Sequence, residues 1–192
     1  YPYAAGMTGL VASLPAWIQD GGIVAAIERM KDPATRQRII QEMREPAKDW
    51  ESLYLQCGSP DRILLIAFNN ETLKPLTGKT LAQVAEIRGR SPEETAMDLL
   101  IEDNGQVLAI YFSQSEENLK KTLPLPWLSF CTDEAAYAPE GVFLGSGAHP
   151  RAYGTYPRIL GKYVRDEKLM TLQEAIRKMS ALPAETLRIE RR

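Results

Sequence analysis

The chain has 192 residues, which is enough for one sizeable hydrophobic core or two small ones. It is too short for a complete eight-stranded α/β barrel, which needs roughly 200–250 residues. Apolar residues make up 44 % and charged residues 25 % of the sequence, so its composition excludes wholesale disorder and the collagen-like and coiled-coil classes. With 23 basic and 25 acidic residues the net charge is −2, which argues against a nucleic-acid partner because no positive field attracts phosphates.

The N-terminal residues show no targeting signal. No run approaches the roughly 18 apolar residues of a membrane span, and no basic segment precedes an apolar one as in a signal peptide. We therefore expect a cytoplasmic protein. The first residues, Tyr1-Pro2-Tyr3-Ala4-Ala5, lack an initiator Met and are typical of the middle of a buried strand, so we also expect further sequence to precede them.

Cysteine and histidine usage restricts the chemistry. Cys57 and Cys131 lie far apart and form no CxxC pair, which argues against a zinc ribbon and favours two buried thiols. His149 is the only histidine, so this chain alone cannot build a His-rich metal site and has little room for a Ser-His-Asp triad. Any metal chemistry must take ligands from elsewhere.

The first third of the chain predicts strands on either side of a helical region. Residues 1–5 predict a strand, and helical periodicity follows from 22 to 45. Asp32 and Pro33 are placed as N-cap and first residue of a second helix there. The continuous apolar run at 63–68 predicts a buried strand.

The stretch from 80 to 133 alternates helices and strands. Thr80 and Ser91 each begin a helix with the spacing of a capping box. Apolar runs at 107–112 and 127–131 predict two buried strands separated by a short helix. This alternation predicts a parallel sheet with flanking helices.

A long loop and further helices follow. Residues 134–154 are rich in glycine and lack helical periodicity, which predicts a loop at the carboxyl end of a strand. Such loops carry the ligand sites of α/β proteins. Residues 156–165 and 171–180 predict helices, and Pro183 begins a last helical turn.

Asp133 is the first candidate functional residue. It follows an apolar strand directly and begins the glycine-rich loop. A carboxylate in that place can bind a metal ion, activate water and pass a proton to a leaving group. Position alone favours a simpler interpretation, in which nearby backbone amides bond a loop-start Asp.

Arg151 is the second candidate. It follows His149 and Pro150, and a guanidinium held in this way can clamp a substrate carboxylate with two parallel hydrogen bonds. An isolated arginine is more often part of a surface salt bridge. No glycine-rich segment matches a nucleotide-binding fingerprint.

A longer motif surrounds Arg151. The stretch HPRAYGTYPRILGKYVR at 149–165, continued by AIRKMSALPA at 175–184, closely resembles the N-acyl-D-amino-acid deacylases (D-aminoacylases) of the amidohydrolase superfamily. Shorter segments agree in order: YPY at 1–3, AGMTGL at 5–10, PLTGKTL at 75–81, and CTD at 131–133. After that aspartate the family usually has Gly, where this chain has Glu134. The resemblance extends over most of the chain, and residues 20–73 match least.

The resemblance implies an α/β fold, with this chain as the C-terminal fragment of a (β/α)8 TIM barrel that carries an inserted small α+β lid domain. The implied organisation is a barrel strand and loop at 1–19, the lid domain at 20–78, and C-terminal barrel strands and helices at 79–192. The family's His-x-His pair and most other metal ligands would lie upstream, which accounts for the single histidine.

The resemblance also implies a metal-dependent hydrolase. It would cleave the amide bond of N-acyl-D-amino acids to a carboxylate and a D-amino acid, with one or two zinc ions in the intact enzyme. Asp133 is implied as catalytic base and metal ligand, and Arg151 and His149 as substrate-binding residues, Arg151 holding the α-carboxylate. We expect the fragment alone to be inactive, because most zinc ligands lie upstream.

Two other functions stay open. One is a non-catalytic binding or assembly module that retains the amidohydrolase scaffold. The other is hydrolysis of a different amide, such as a dihydropyrimidine ring.

The expected partners are a small-molecule N-acyl-amino-acid substrate and the remainder of the chain's own barrel, with neither nucleic acid nor membrane. We also expect self-association, because an exposed strand edge at 1–5 invites pairing with a second copy.

Overall fold

The computed structural model describes residues 1–46, 49–136, 138–141 and 147–189. Within these ranges the chain forms two compact units. We name Ala5–Ser113 with Glu140–Gly147 the sheet unit, because it contains the β-strands. The second, the helical unit, comprises Tyr1–Ala4, Gln114–Pro139 and Ala148–Arg192.

The sheet unit is built on three antiparallel strands: β1 (Gly6–Gly9), β2 (Ile63–Ala67) and β3 (Leu108–Tyr111). Strand β3 is central, and its Tyr111 lies opposite Gly6 of β1 and Ile63 of β2. The prediction of a parallel sheet was therefore wrong. Two helices, rather than the single helix of a βαβ unit, separate β2 from β3, so the chain reverses direction once more before it re-enters the sheet.

The described residues of this unit also form five α-helices: α1 (Gly22–Lys31), α2 (Pro33–Arg44), α3 (Leu53–Cys57), α4 (Leu81–Arg88) and α5 (Pro92–Glu102). The predicted starts of α2, α4 and α5 are confirmed. The Asp32 carboxylate accepts from the Thr35 N–H, and complete capping boxes begin at Thr80 and Ser91. Each cap satisfies amide donors that the first helical turn leaves unpaired.

The main core of the sheet unit is a large apolar cluster, and a second, smaller cluster contains Ala5, Ile66 and Ile110. Cys57 lies in the large cluster, fully buried as predicted, and burial raises the pKa of its thiol. The large fully buried side chains of this cluster include Tyr111, Leu10, Leu14, Ile18, Met30, Ile39, Met43, Ile63, Leu65, Leu81, Met97, Leu99 and Leu100. This compact unit extends on both sides of the 20–78 segment that the sequence assigns to a lid, because β1 and β3 complete the sheet on which α1–α5 pack.

The helical unit contains α6 (Glu116–Thr122), α7 (Arg151–Arg158), α8 (Leu172–Ile176) and α9 (Leu182–Thr186). Wider π-helical turns continue α7 over Ile159–Asp166 and join α8 to α9 over Arg177–Ala181. Pro157 inside α7 lacks an N–H, which removes one α-helical hydrogen bond just before the first widening. The buried apolar cluster of this unit is small: Leu123, Phe130, Ile159, Tyr163 and Ala175.

Two predicted strands have an irregular backbone instead. Residues 1–5 and 127–131 pair with no other strand in the described structure. Trp127 is 71 % exposed and Cys131 is exposed, so the prediction of a second buried thiol was wrong. An apolar run favours burial, but a strand forms only where another backbone completes its hydrogen bonds. Within the described residues, no helix has the length and apolar character needed to cross a membrane.

Candidate functional site

The three site residues predicted from the sequence come together in the helical unit. Asp133 lies in the irregular segment after Phe130, His149 just before α7, and Arg151 is the first residue of α7. The Asp133 Oδ2 lies 2.9 Å from the Arg151 Nη1. A chain separation of 18 residues is thus closed by a direct ion pair.

Asp133 occupies a special backbone conformation. Its φ is +52°, in the left-handed region that few residues other than glycine adopt. A short polar side chain makes aspartate one of the residues that tolerate this region. The conformation leaves the Asp133 side chain 60 % exposed, so its carboxylate is accessible to a ligand.

Arg151 is buried and is held from three sides. Its side chain is 6 % exposed, and besides Asp133 it contacts the Glu134 Oε2 from Nε at 3.4 Å. The guanidinium carbon lies 4.5 Å from the ring centroid of Tyr1, a cation–π contact. The interpretation of this arginine as part of a surface salt bridge is therefore wrong.

His149 is 2 % exposed and shares an enclosure with the tyrosines of the first three residues. Its Nδ1 accepts a hydrogen bond from the Arg151 backbone N–H at 3.0 Å, an arrangement that assigns the ring proton to Nε2 in the neutral form. The rings of Tyr1 and Tyr3 meet it edge-on, at centroid distances of 5.7 and 5.4 Å. His149 therefore fixes the start of α7 and the tyrosine segment together.

The tyrosine segment, residues 1–3, is also held by Arg158, the last residue of α7. The Arg158 Nε donates to the Pro2 carbonyl at 2.8 Å, and its guanidinium lies 4.9 Å from the Tyr3 ring centroid. A Cβ at Gly154 would collide with the Tyr3 hydroxyl, so a larger residue there would require the Tyr3 ring to move.

Glu116 links α6 to the π-helical turns that continue α7. Its carboxylate accepts from Lys162 and, at 2.8 Å, from the Tyr163 hydroxyl. Burial would raise the pKa of Glu116, but these hydrogen bonds outweigh it and lower the pKa. Burial and then the bond to Glu116 raise the pKa of Tyr163 to about 12. The phenol consequently stays protonated as a donor at neutral pH.

Sequence reasoning did not find Glu116 or Arg158 as site-supporting residues, and it noted Glu134 only as an added charge. No local signal connects Glu116 with Lys162, since 46 residues separate them. The one signal available for Glu134 is its position beside Asp133.

The side chains near Asp133 can contribute a ligand to a zinc site, but they do not form a complete site. A zinc ion needs at least three protein ligands drawn from His, Cys, Asp and Glu. The described residues contain no cluster of three or more such side chains placed to hold a metal ion. The accessible Asp133 carboxylate can supply one oxygen ligand.

Proteins similar to this chain include deacylases of N-acyl-D-amino acids. No protein-family model matches the chain. An N-acyl-D-glutamate deacylase of Alcaligenes xylosoxydans xylosoxydans is 26 % identical over 167 residues, which are 85 % of this chain and 28 % of that protein. A D-aminoacylase of the same organism is 34 % identical over 128 residues, 65 % of this chain and 24 % of that protein.

Solved structures agree in fold. An N-acyl-D-glutamate deacylase from Bordetella bronchiseptica, in complex with zinc and a phosphonate mimic of the tetrahedral intermediate, superposes with a TM-score of 0.62 at 23 % identity. A D-aminoacylase described as defining a subset of amidohydrolases gives 0.60 at 24 % identity. Both cover 98 % of this chain, which covers 28 % of each.

These findings define the chain first as a homologue of deacylases, with a fold of mixed helix and sheet that solved deacylase structures share. Its relatives are N-acyl-D-amino-acid deacylases, and the resemblance stated from the motifs is confirmed. The chain spans about a quarter of the length of the relatives that it matches.

Proposed function

We propose that the chain is the C-terminal part of a zinc-dependent enzyme that hydrolyses the amide bond of N-acyl-D-amino acids, releasing a carboxylate and a D-amino acid. The observation that carries this proposal is the accessible Asp133 carboxylate beside the buried Arg151, 2.9 Å apart, in a chain similar to D-aminoacylases. A proton acceptor and a substrate-anchoring cation are the two groups that amide hydrolysis requires from this region.

Asp133 acts as the general base. Its exposed carboxylate takes a proton from the attacking water and delivers it to the leaving nitrogen, and one of its oxygens is a metal ligand. Zinc, when bound, lowers the pKa of water and polarises the amide carbonyl.

Arg151 and His149 bind the amino-acid end of the substrate. The buried guanidinium is positioned by the first turn of α7, and the His149 ring locks that turn through the Arg151 N–H. A cation held in this way orients the substrate so that its amide carbon faces Asp133.

The proposal includes a barrel organisation for the segments outside the lid. In this proposal, residues 1–5 and 127–131 are strands of a (β/α)8 barrel whose neighbours belong to the remainder of that barrel, which is the chain's own partner. Neither segment pairs with a strand in the described structure, and the exposure of Trp127 fits a strand that another segment covers. The 20–78 segment, which lies within the sheet unit, is the inserted lid domain. We also expect the isolated chain to self-associate through such strand edges, which size-exclusion chromatography tests.

The test is substitution of Asp133 in the full-length protein with zinc. Asp133→Asn removes the proton acceptor but keeps the shape, so kcat for an N-acyl-D-amino acid should fall about 10²- to 10⁴-fold. Glu117→Gln is the matched control, because Glu117 is 76 % exposed and contacts only Lys121 among the described ion pairs. We expect the control to retain its rate.

Two results would contradict the proposal. Full activity of Asp133→Asn would remove the base assignment. Absence of hydrolysis in the zinc-loaded full-length protein would instead favour the binding or assembly module. The 192-residue chain alone, given zinc, should show no turnover, because its described residues lack a complete ligand set.

A further inference from the structure

Glu134 is a buried carboxylate that already occupies the substrate-binding arginine. Its side chain is 8 % exposed, against 60 % for the neighbouring Asp133. A buried carboxylate requires a partner, and the Nε of Arg151 lies 3.4 Å from its Oε2. The other oxygen of Glu134 accepts from the Ala135 N–H at 3.2 Å.

The charges around Arg151 do not favour the binding of an anionic substrate group. One guanidinium faces two carboxylates, so Asp133, Glu134 and Arg151 together carry a formal charge of −1. A substrate carboxylate that approaches Arg151 meets two like charges beside it. Juxtaposed like charges are a common means by which binding sites reject a ligand.

Asp133 and Glu134 differ in how freely they can leave the arginine. Asp133 is exposed and can turn to another ligand, which its proposed role as base and metal ligand requires. Glu134 is enclosed, and separating it from Arg151 would leave a buried charge without a partner. Arg151 therefore stays neutralised by Glu134 whatever Asp133 does.

We propose that Glu134 is a specificity-determining residue, which makes this site favour N-acyl-D-amino acids whose α-carboxyl group is a neutral carboxamide over those with a free carboxylate. The inference rests on the proposed amide hydrolysis and narrows its substrate class, so that the amine released from a preferred substrate is a D-amino acid amide. A carboxamide oxygen accepts from Arg151, and its N–H donates to the carboxylate of Glu134, which leaves Asp133 free to act as base. A free carboxylate satisfies only the first of these contacts.

The experiment compares N-acetyl-D-leucine with N-acetyl-D-leucinamide. Equilibrium dissociation constants are measured on the zinc-free full-length protein by NMR titration, and kcat/KM is measured on the zinc-loaded protein. The wild type should bind the amide at least about tenfold more tightly than the acid. Glu134→Gln, which keeps the side-chain volume and removes the charge, should move this ratio about tenfold towards the acid.

Two further variants keep the test decisive. Glu134→Gly, which installs the residue that the deacylase family usually has there, should shift the ratio in the same direction, and it carries the test if the Gln variant fails to fold. Glu117→Gln removes an exposed carboxylate of the same unit and should leave the ratio unchanged.

The outcomes separate the two proposals. A wild type that prefers the acid, or Glu134 variants with an unchanged ratio, would overturn the inference. Binding of neither compound would overturn it too, because these residues would then not contact substrate. A shifted binding ratio without hydrolysis of either compound would support the role of Glu134 in selection and contradict the proposed hydrolysis.

Discussion

The two units of the chain are stabilised by different interactions. Among the described residues, the sheet unit buries 21 side chains in one apolar cluster, whereas the main cluster of the helical unit has five. The helical unit thus buries nearly as many polar or charged side chains as apolar ones: His149, Arg151, Thr155 and Lys178. In the sheet unit the buried polar side chains are a small minority beside the 21 apolar ones: Ser13, Ser52, Glu93, Thr95 and Asp103. Apolar packing is non-directional, while each of these polar groups fixes a particular neighbour.

The candidate site lies in the helical unit, where hydrogen bonds and ion pairs form a larger share of the buried contacts. The Arg151 guanidinium is held by two carboxylates and a ring, and Thr155 donates to the Arg151 carbonyl at 2.7 Å. A site that must orient a substrate needs side chains locked by such hydrogen bonds and ion pairs. The sheet unit, by contrast, holds its fold mainly through buried area.

The largest expected effect is on the apolar core of the sheet unit. Leu100→Ala empties a fully buried position in the large cluster and should lower the free energy of unfolding of that unit by about 3 kcal/mol. Ile159→Ala, also fully buried, lies in the small cluster and should cost the helical unit less, about 2 kcal/mol, because fewer fixed neighbours let the cavity close.

Native-state hydrogen exchange measures the loss of unfolding free energy in each unit. Amides of β3 report on the sheet unit, and amides of α7 report on the helical unit. Leu172→Ala, at a side chain that is 54 % exposed, is the control and should change neither by more than about 0.5 kcal/mol. Equal costs at Leu100 and Ile159 would contradict the distinction between the two units.

Local features of both units were predictable from sequence. The caps at Asp32, Thr80 and Ser91 depend on residues three positions apart, and the structure has all three. The meeting of Asp133 with Arg151 was suggested by two short motifs, one on each side of a loop. In each case the determining contact is local or follows from a motif.

Features set by distant segments were not predictable in this way. The antiparallel direction of β3 depends on how α4 and α5 fold back, and apolar composition carries no direction. The exposure of Cys131 depends on what covers residues 127–131, which that run does not specify. The enclosure of Glu134 likewise depends on Arg151, 17 residues further along the chain.

The next effect concerns a carboxylate network in the sheet unit. Glu93 is 4 % exposed and accepts from Arg44 at 2.9 and 3.1 Å and from the Tyr54 hydroxyl at 3.0 Å. Burial would raise the pKa of Glu93, but the hydrogen bonds, that from Arg44 above all, lower it. Glu93→Gln should therefore lower the free energy of unfolding by about 1–2 kcal/mol at pH 7.

The sign of the pH dependence follows from the lowered pKa of Glu93. Its stabilisation is complete above the unfolded-state pKa, about 4.3, and disappears as the pH falls through the lower folded-state pKa. On acidification, the free energy of unfolding measured with urea should thus fall more for the wild type than for Glu93→Gln. Glu28→Gln, at a 67 % exposed carboxylate, is the control and should behave like the wild type. Parallel acid curves for Glu93→Gln and the wild type would show that the network does not shift this pKa.

The smallest expected effect lies in the helical unit, at Lys178. This side chain is fully buried, its Nζ donates to the Leu123 carbonyl at 2.6 Å, and the Phe130 N–H donates to the Lys178 carbonyl at 3.1 Å. Burial lowers the pKa of the ammonium group because the charged form is poorly solvated there. Between this lowered value and the unfolded-state pKa of about 10.4, the unfolded chain binds more protons, so stability should rise with pH.

Tyr163 opposes this trend, since its pKa of about 12 in the folded unit lies above that of an unfolded tyrosine and therefore reduces stability as the pH rises. It is present in wild type and variant alike, so the difference between the wild type and Lys178→Met isolates the lysine. From pH 8 to 10, hydrogen exchange in α7 should show the wild type gaining up to about 1 kcal/mol relative to Lys178→Met. Lys121→Met, at a 67 % exposed lysine, should show no such gain. The opposite outcome is that the stability of Lys178→Met changes with pH as that of the wild type does. In that case the Lys178 ammonium group is as well solvated as a surface lysine, and its burial does not contribute to the difference between the two units.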